Sequence, residues 1–400
     1  MHIYLLVSGM LDRAPYGEEK FTVSLANWLV NHEYKVTVIG RGGLLHTKSK
    51  HGFKEDIQVT DKQHLKDDMQ RANSYRYLAY SFRIFISLLF IVNVIRTNRK
   101  YPIDIVHAQD TGYAGLAAVI SGKLLNIPVI LSSHGNRHKN LELTMPKILK
   151  KIGFYRLEYN LDIFNINHAD RIIAVNPDVK TYFERITGRT IDFFPIPINV
   201  EDFIFSEPHR KMMREELGIE ENATVVGFIG RLSSEKNINT LLYSFADVSK
   251  AIRDLKLIIV GEGRMKNQLE RIVLENDIDD RVVFCGLRYD IAKILCGLDI
   301  FVLPSYSEGL STSLLESMAC ERAIICSDIP ANRQLVQHNK EALLVDPNNK
   351  EEFTQAILLL YENQHLRRKL GHYAKIKSNS FDKEVIFPSL AKYYENIKNK

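Results

Sequence analysis

One stretch of the sequence decides the fold. It runs Asp299-Ile-Phe-Val-Leu-Pro-Ser-Tyr-Ser-Glu308-Gly-Leu-Ser-Thr-Ser-Leu-Leu-Glu316. The apolar run at its start predicts a buried strand, and the glycine and serines that follow predict a turn into a helix. The first N–H groups of a helix have no helical partner and here would face the loop. A strand, a glycine-containing loop and a helix start together are typical of a phosphate-binding element in an open α/β sheet.

Two series of short β-branched runs alternate with longer helical patterns, which is typical of parallel sheets built from strand-helix-strand units. The first series predicts strands at 2–7, 35–39, 104–107, 128–132 and 171–175, and the second at 224–229, 256–260, 281–284, 299–303, 323–326 and 343–345. Between them, Phe194-Pro-Ile-Pro-Ile-Asn199 holds two prolines, as a short interdomain connection does. The sequence therefore predicts an α/β protein with two doubly wound, Rossmann-like domains.

Composition places the chain among ordinary globular proteins. Of its 400 residues, 45% are hydrophobic and 25% are charged, which excludes a disordered chain, a collagen-like repeat and a multi-span membrane protein. The four cysteines form no Cys-x-x-Cys pair, so they predict buried free thiols in a reducing compartment. Met1–Val7 predicts a first strand, without the basic leader of a signal peptide. We therefore expect a cytoplasmic protein.

Positive charge is concentrated in the first half of the chain. Residues 1–200 carry 26 Lys and Arg against 18 Asp and Glu, whereas residues 201–400 carry 27 against 30. This asymmetry favours a polyanionic partner or an anionic membrane surface for the first half, although it also serves simply to keep a domain soluble. Lys147, Lys150 and Lys151 share one helical face at spacings of three and four and would contribute to a membrane-binding surface.

A segment at 75–95 is dense in aromatic and branched residues, and its longest uncharged run is 84–95. That run is too short to span a bilayer, which needs about twenty apolar residues. Two interpretations remain open with equal weight. The segment is a buried helix of the first domain, or it is a helix that also touches lipid.

A second element of the sequence carries positive charge next to a strand. Val225-Val-Gly-Phe-Ile-Gly230-Arg-Leu-Ser-Ser-Glu-Lys236-Asn237 puts Arg231 and Lys236 beyond the carboxyl end of the second domain's first strand. Ligands of open α/β sheets bind at that edge. Arg offers a fork of donors and Lys a point charge to a diphosphate, so we expect two exposed loop cations that bind one.

Six elements, in the order in which they occur, resemble glycosyltransferase family 4, a group of retaining, nucleotide-sugar-dependent enzymes with the GT-B fold. They are Tyr16-Gly-Glu-Glu19, Asp104-Ile-Val-His-Ala108, Pro128-Val-Ile-Leu-Ser-Ser-His134-Gly135, Ala169-Asp-Arg-Ile-Ile-Ala-Val175, Gly230-Arg-Leu-x3-Lys236 and Glu308-x7-Glu316. The resemblance covers nearly the whole chain. It implies an acceptor-side domain at 1–195, completed by a C-terminal helix at 378–400, and a nucleotide-sugar-binding domain at 199–375, with the two facing a central cleft.

The resemblance implies transfer of a sugar from a nucleoside diphosphate sugar to an acceptor hydroxyl, with retained configuration and without a metal or other cofactor. Arg231 and Lys236 would neutralise the leaving diphosphate, Glu308 would contact the transferred sugar, and His134 would lie beside it. Glu316 would bind the ribose hydroxyls. The remaining donor-binding residues would be Gly17, Gly230, Gly309, Leu310, Ser311, Thr312 and Ser313.

The acceptor implied is a lipid-linked or cell-surface glycan precursor in polysaccharide biosynthesis, and no nucleic acid partner is expected. A hexosyltransferase of this kind would work in the cytoplasm, with peripheral association at the inner face of the plasma membrane. Three positions depart from the family's pattern, because Tyr16, Asn237 and Glu321 stand where it has glycine. We expect the last two to affect local packing only.

Other functions fit the sequence less well. Val260-Gly-Glu-Gly-Arg-Met-Lys266 begins like a dinucleotide fingerprint, but a lysine stands at the third glycine position, which disfavours NAD chemistry. A nucleotide-sugar epimerase on the same fold and a non-catalytic two-lobed sugar-binding protein remain as alternatives. The epimerase would need no acceptor, and the binding protein would need no paired Arg and Lys at a diphosphate.

Overall fold

The computed structural model describes the backbone of residues 1–7, 17–40, 43–46, 76–135, 138 and 153–399, and the side chains of these residues except 17–20, 43–46 and 76–84. Two compact units divide the chain. Unit 1 comprises Met1–Pro195 and Phe387–Lys400, and unit 2 comprises Ile196–Ile386. Tyr16 and the three lysines at 147, 150 and 151 lie outside the described residues.

Unit 1 is built on a sheet that, within the described residues, has seven strands. They are β1 (His2–Leu6), β2 (Lys35–Gly40), β3 (Gly43–His46), β4 (Ile105–Ala108), β5 (Val129–Ser133), β6 (Arg171–Ala174) and β7 (Asp192–Phe193). Their order is β3-β2-β1-β4-β5-β6-β7. Every pairing is parallel except that of β3, which pairs antiparallel with β2. The predicted parallel sheet is confirmed, and the antiparallel edge strand was not predicted.

Helices cover the strands of unit 1. They are α1 (Gly17–Asn31), α2 (Arg76–Lys100), α3 (Tyr113–Leu125), α4 (Phe154–His168) and α5 (Pro177–Thr187). The core forms between the sheet and the helices, and includes Leu6, Val106, Ala118, Leu131 and Phe183. The β-branched runs are buried along their whole length, as expected for a parallel sheet that is covered on both faces.

Unit 2 repeats the plan with six strands among the described residues. They are β8 (Thr224–Ile229), β9 (Leu255–Val260), β10 (Val282–Gly286), β11 (Ile300–Leu303), β12 (Ala323–Ser327) and β13 (Leu343–Val345). Their order is β10-β9-β8-β11-β12-β13, and all pairings are parallel. Two doubly wound α/β units were predicted from the alternating pattern, and this prediction is confirmed.

Nine helices of the described residues follow Pro195. They are α6 (Glu207–Glu216), α7 (Ile238–Ser249), α8 (Lys266–Glu275), α9 (Ile291–Gly297), α10 (Thr312–Ala319), α11 (Pro330–Arg333), α12 (Lys350–Glu362), α13 (Gln364–Ser378) and α14 (Lys383–Lys398). The core of unit 2 lies between its sheet and helices α6 to α13 and includes Phe228, Phe245, Phe301 and Phe353.

The C-terminal segment divides between the units at a different place from the one predicted. Residues 378–386 were assigned to the first domain, but they belong to unit 2. Their backbone pairs with the start of that unit, since Ile198 N–H donates to Phe381 O at 3.0 Å and Lys383 N–H donates to Ile198 O at 2.9 Å. Residues from Phe387 onward belong to unit 1, where Tyr394 OH lies 2.7 Å from His107 Nδ1.

Each sheet has a point where the strand order reverses. It lies between β1 and β4 in unit 1 and between β8 and β11 in unit 2. The loops after two such strands run in opposite directions and leave a crevice at the carboxyl edge, where ligands of this architecture bind. In unit 2 these two loops are residues 230–237 and 304–311, the two charged elements that the sequence singled out.

Candidate active site

The loop after β8 is supported by the chain that follows β9. Leu232 N–H donates to Glu262 O, and Met265 N–H donates to Leu232 O, both at 3.0 Å. A Cβ at Gly261 would lie 1.9 Å from Gly230 O, and one at Gly263 would lie 2.2 Å from Leu232 O. The glycines that resemble a dinucleotide fingerprint are therefore required here for close packing of backbone against the cation-bearing loop.

Lys236 and Glu308 form an ion pair across the crevice of unit 2. Lys236 Nζ lies 2.7 Å from Glu308 Oε1 and 2.8 Å from Oε2. The Ser305 hydroxyl donates to Glu308 Oε1 at 2.6 Å. The side chains are only 15% and 7% exposed. The expectation that Lys236 is an exposed loop residue is wrong, because its ammonium is drawn down onto a carboxylate of the neighbouring loop.

Arg231 lies on the same loop and is exposed, as predicted. Its guanidinium lies 3.3 Å from Glu235, which also accepts a 2.6 Å hydrogen bond from the Ser233 hydroxyl. Burial raises the pKa of the Glu235 carboxyl, but hydrogen bonds from Ser233 and the backbone outweigh it, so this pKa lies below its ordinary value. Arg231 thus has an ionised neighbour on its own loop and stays accessible to solvent.

The helix after β11 supplies the amide-rich edge of the crevice. Ser311 is the N-cap of α10, and its Oγ accepts from Leu314 N–H at 3.4 Å and lies 3.2 Å from Ser313 Oγ. Gly309, Leu310, Thr312 and Ser313 are half-buried around this helix start. Glu316 is buried one turn further along α10. The N–H groups of the first turn and the positive end of the helix dipole favour an anion at this point.

Asn237 joins three loops at the carboxyl edge, a role that the sequence did not reveal. Its amide Nδ2 donates to Pro304 O at 3.1 Å and to Pro347 O at 2.8 Å, and its Oδ1 accepts from the Thr240 hydroxyl at 2.7 Å. Its φ is +52°, in the left-handed region that favours glycine and tolerates asparagine. Backbone geometry explains the departure from glycine, and the side chain adds contacts that glycine lacks.

In unit 1, His134 directly follows β5. Its Nε2 lies 3.0 Å from Gln109 Oε1, and its ring contacts Phe21 edge-on with centroids 5.2 Å apart. Among the described residues, no hydrogen-bond partner reaches its Nδ1. Burial lowers the pKa of His134 to about 4, so the imidazole is neutral at ordinary pH. A neutral ring that donates from Nε2 leaves Nδ1 as an acceptor.

His107 and Gln109 complete this polar group and were missed as site residues. The His107 ring nitrogens lie 2.7 Å from Ser132 Oγ and 2.7 Å from Tyr394 OH. Burial, together with His134, lowers the pKa of His107 to about 3. The sequence could have indicated Gln109 by its position, because this residue directly follows β4 at the carboxyl edge, where polar side chains meet ligands.

The structure therefore distributes the predicted residues over both units. Gly17, the first residue of α1, and His134 lie in unit 1, whereas Gly230, Arg231, Lys236, Glu308 and the 309–316 set lie in unit 2. Within the described ranges, no group of three or more His, Cys, Asp or Glu side chains is placed to hold a metal ion. Nor does any helix in that part of the chain have the length and apolarity to cross a membrane.

Comparison with family models decides the relationship of this chain to known proteins. A model described as Glycosyltransferase Family 4 matches residues 16–202, and one described as Glycosyl transferases group 1 matches residues 209–377. Together they cover most of the chain. The chain belongs to glycosyltransferase family 4. The resemblance drawn from six short elements is confirmed, and the two doubly wound units are those of a GT-B fold.

Two relatives of this family 4 glycosyltransferase act on lipid diphosphates by name. The Escherichia coli UDP-Gal:alpha-D-GlcNAc-diphosphoundecaprenol alpha-1,3-galactosyltransferase is 26% identical over 324 residues, which are 78% of this chain and 80% of that protein. The GalNAc-alpha-(1->4)-GalNAc-alpha-(1->3)-diNAcBac-PP-undecaprenol alpha-1,4-N-acetyl-D-galactosaminyltransferase of Campylobacter jejuni is 26% identical over 390 residues, 96% of each chain.

A solved structure shares the fold over the full length of this family 4 chain. HepE of Anabaena in complex with UDP superposes with a TM-score of 0.73 and 19% identity, covering 99% of this chain and 100% of its own. Identity at this level supports the fold, while the site of the present chain is argued from its own residues.

Proposed function

We propose that this glycosyltransferase transfers a hexose from a nucleoside diphosphate sugar to a hydroxyl of a lipid-linked glycan, with retention of anomeric configuration and without a metal. The observation that carries the proposal is the Lys236–Glu308 pair at the crevice of unit 2, with Arg231 on the same loop and the α10 amides beside it. Cations and amides of this kind suit a diphosphate, and a carboxylate suits sugar hydroxyls.

The donor diphosphate would lie between the loop 230–237 and the start of α10. Arg231 supplies a fork of donors and Lys236 a point charge. Thr312 and Ser313 open α10, and N–H groups of a first helical turn have no partner within the helix. Glu316, buried in α10, would accept hydrogen bonds from the ribose hydroxyls. The complex of HepE with UDP supports a nucleoside diphosphate as the ligand of this fold.

Charge stabilisation would be the main catalytic contribution of the protein. When the bond from the anomeric carbon to the diphosphate breaks, negative charge grows on the leaving phosphate, and fixed cations and amides lower the energy of that state. The acceptor oxygen then bonds to the anomeric carbon on the same face, and its proton passes to the leaving phosphate. Lys236 and Arg231 take the place that a divalent cation has in other transferases.

Glu308 and His134 would position the transferred sugar. Glu308 keeps one hydrogen bond from Ser305 and its contact with Lys236, so its remaining acceptor sites are fixed in direction. In unit 1, neutral His134 would lie beside the sugar, with its Nε2 held by Gln109. A neutral ring binds sugar without adding a positive charge near the breaking bond.

A lipid-linked acceptor is supported by the two named relatives, which act on diphosphoundecaprenol and PP-undecaprenol substrates. Such acceptors belong to the assembly of polysaccharides on a membrane carrier. The enzyme would meet them from the cytoplasm, at the inner face of the plasma membrane.

Release of nucleoside diphosphate, measured with and without acceptor, tests the proposal. A panel of nucleoside diphosphate sugars is first ranked by thermal shift, and the best donor is then incubated with undecaprenyl-diphosphate-linked sugar in excess EDTA. We expect release that depends on the acceptor and persists in EDTA, with an axial or equatorial linkage matching that of the donor by NMR.

Two matched variants make this experiment specific. Arg231→Ala should abolish most of the release, whereas Lys250→Ala, which removes an exposed cation at the end of α7, should not change it. Release of diphosphate without acceptor and with an altered sugar would indicate an epimerase. Donor binding without release under any condition would indicate a non-catalytic binding protein.

A further inference from the structure

The orientation of the His134 ring depends on one neighbouring side chain. Its Nε2 lies 3.0 Å from Gln109 Oε1, and within the described ranges no other group forms a hydrogen bond with the ring. An amide oxygen only accepts hydrogen bonds, so the neutral His134 ring carries its proton on Nε2. Gln109 therefore fixes both the tautomer of this ring and its rotation.

The amide of Gln109 packs in turn against the ring of His107. Gln109 Nε2 lies 3.4 and 3.5 Å from the two His107 ring nitrogens. Each of these nitrogens has a closer partner, since Ser132 Oγ and Tyr394 OH both lie 2.7 Å away. These four side chains are at most 2% exposed. Gln109 is thus supported by a buried ring whose hydrogen-bonding positions are already occupied.

The two hydroxyl partners of His107 prevent its ring from turning. A neutral imidazole has one N–H donor and one acceptor nitrogen, and a hydroxyl can serve either of them. Burial, together with His134, lowers the pKa of His107 to about 3, so the ring stays neutral and one tautomer satisfies both contacts. Rotation of the ring would leave buried polar atoms without partners, which is costly. His107 is therefore a rigid support for the Gln109 amide.

The hydroxyl of Tyr394 comes from the C-terminal helix. Helix α14 enters unit 1 at Phe387, and Tyr394 follows seven residues later on the same face. The Phe387 ring contacts Phe21 with centroids 6.0 Å apart, and Phe21 contacts the His134 ring. One buried face of α14 therefore reaches His134 by two routes, a polar one from Tyr394 and an aromatic one from Phe387.

We propose that Tyr394 is a positioning residue for His134 in sugar transfer, acting through His107 and Gln109. The inference rests on the proposed function, in which neutral His134 lies beside the transferred sugar. Residues that hold a site side chain in its productive geometry raise the rate without touching the substrate themselves. Tyr394 and His107 are 287 residues apart, so this support could not be found from local sequence.

Tyr394→Phe tests the polar route because it keeps the buried ring and removes only the hydroxyl. With detergent-solubilised acceptor and saturating donor, it should lower kcat by about fivefold or more, and Gln109→Met should lower kcat by about tenfold to a hundredfold. The affinity for the nucleoside diphosphate of the best donor should not change, because the cations and amides proposed to bind it lie in unit 2.

Tyr393→Phe is the matched control on the same helix. The Tyr393 hydroxyl donates to the Asp192 carboxylate, and no contact of this pair leads to His134. Both tyrosine variants should lower the urea midpoint, but only Tyr394→Phe should lower kcat. In a His134→Ala background, Tyr394→Phe and Gln109→Met should lower the rate no further. Equal losses of kcat in the two tyrosine variants, or full additivity with His134→Ala, would overturn the inference.

The protonation state of the His134 ring gives a readout that a merely structural role would not change. In ¹⁵N spectra of histidine-labelled protein, assigned with His134→Asn, the wild-type ring should be protonated at Nε2. Gln109→Glu keeps an acceptor oxygen and should keep this proton, whereas in Gln109→Met the proton should exchange between the two nitrogens. Tyr394→Phe should alter the His134 signals, and Tyr393→Phe should not.

The positioning role and the proposed reaction fail separately, because the spectra need neither donor nor acceptor. Protonation of wild-type His134 at Nδ1, or His134 signals unchanged by Tyr394→Phe, would overturn the positioning role even if transfer is observed. Absence of transfer from every donor, with the expected spectra, would refute the proposed reaction and leave the support of His134 by α14 in place.

Discussion

Lys236 and Glu308 are 72 residues apart in sequence, yet the ammonium lies 2.7 and 2.8 Å from the two carboxylate oxygens. Backbone pairing brings the loops together as well, since Tyr306 N–H donates to Glu235 O at 2.9 Å. The residue proposed to bind the diphosphate and the residue proposed to bind the sugar therefore contact each other directly. Each limits the freedom of the other before any donor arrives.

The contact predicts that the effects of replacing Lys236 and of replacing Glu308 on the free energy of unfolding are not additive. Lys236→Met should lower the free energy of unfolding by about 1–3 kcal/mol, because among the described residues it leaves a nearly buried carboxylate with Ser305 as its one side-chain donor. The double variant Lys236→Met/Glu308→Gln should recover part of this loss and none of the activity. Urea midpoints and initial transfer rates of the single and double variants measure both effects.

Arg231→Ala serves as the control for this cycle. Arg231 is exposed, so its removal should change the free energy of unfolding by under about 0.5 kcal/mol while transfer falls about a hundredfold or more. Near-normal turnover of Arg231→Ala with saturating donor would refute the diphosphate assignment. Full additivity of the two stability losses would refute the coupling of Lys236 and Glu308.

Glu316 provides a prediction about the ribose. Glu316→Gln should weaken donor binding by about tenfold to a hundredfold, because charge-assisted hydrogen bonds to the hydroxyls are lost. A 2′-deoxyribose donor should bind to the wild type more weakly than the ribose donor does. Glu316→Gln should lower the affinity for this deoxyribose donor only a little further. Isothermal titration of both donors against both proteins measures this. Losses that simply add would show that Glu316 does not contact the ribose.

Much of this arrangement follows from local sequence. Strand and helix periods predicted both sheets, and the position of Arg231, Lys236 and Glu308 after adjacent strands placed them at one edge. The burial of Lys236 was not predictable, because it depends on how closely the loop 304–311 after β11 approaches the loop 230–237. Asn237 and Gln109 were missed for the same reason, since each acts through a contact with a distant loop or strand.

Asn237 predicts separable effects of backbone and side chain. Asn237→Gly and Asn237→Ala should both lower the free energy of unfolding by about 1–3 kcal/mol, since two amide hydrogen bonds are lost. The alanine variant should lose about 1 kcal/mol more because its φ of +52° is unfavourable for a Cβ-bearing residue without a polar side chain. Both should reduce transfer, because the loops that carry Lys236 and Glu308 lose a common anchor.

Asn339 is a matched control for Asn237. It also has a positive φ, +60°, but it is exposed and lies away from the crevice. Asn339→Ala should show the backbone cost alone and leave transfer rates unchanged. Chemical denaturation and rate measurements on Asn237→Gly, Asn237→Ala and Asn339→Ala give the comparison. Equal activity of Asn237→Ala and wild type would rule out its role as an anchor of the site.

Glu321 predicts a difference in stability between glycine and alanine at this position. Its φ is +64°, and its carboxylate lies 3.3 Å from Lys375 and 3.6 Å from His372. Glu321→Gly relieves the backbone and Glu321→Ala does not, while both remove the half-exposed ion pairs. Glycine should therefore be more stable than alanine by about 1 kcal/mol in thermal melts. Equal melting temperatures of the two variants would contradict the strain argument.

The buried histidines of unit 1 predict how stability depends on pH. Burial lowers the pKa of His134 to about 4 and that of His107 to about 3, against 6.5 for an exposed imidazole. Between these values the unfolded chain binds more protons than the folded one. Stability should thus be fully present above pH 6.5 and fall as the pH drops toward 4, by up to about 1.4 kcal/mol per pH unit for each histidine.

Trp28 makes this measurement specific to unit 1, since it is the one tryptophan of the sequence and is buried beside Phe387. Urea unfolding followed by its fluorescence at a series of pH values gives the slope for the wild type. His107→Gln and His134→Gln should each reduce that slope between pH 6.5 and 4, whatever they do to stability at pH 7. His168→Gln, at an exposed position on α4, should leave it unchanged. An unchanged slope in both buried-site variants would mean that these imidazoles titrate in the folded protein as they do in the unfolded chain, and it would contradict the lowered pKa values.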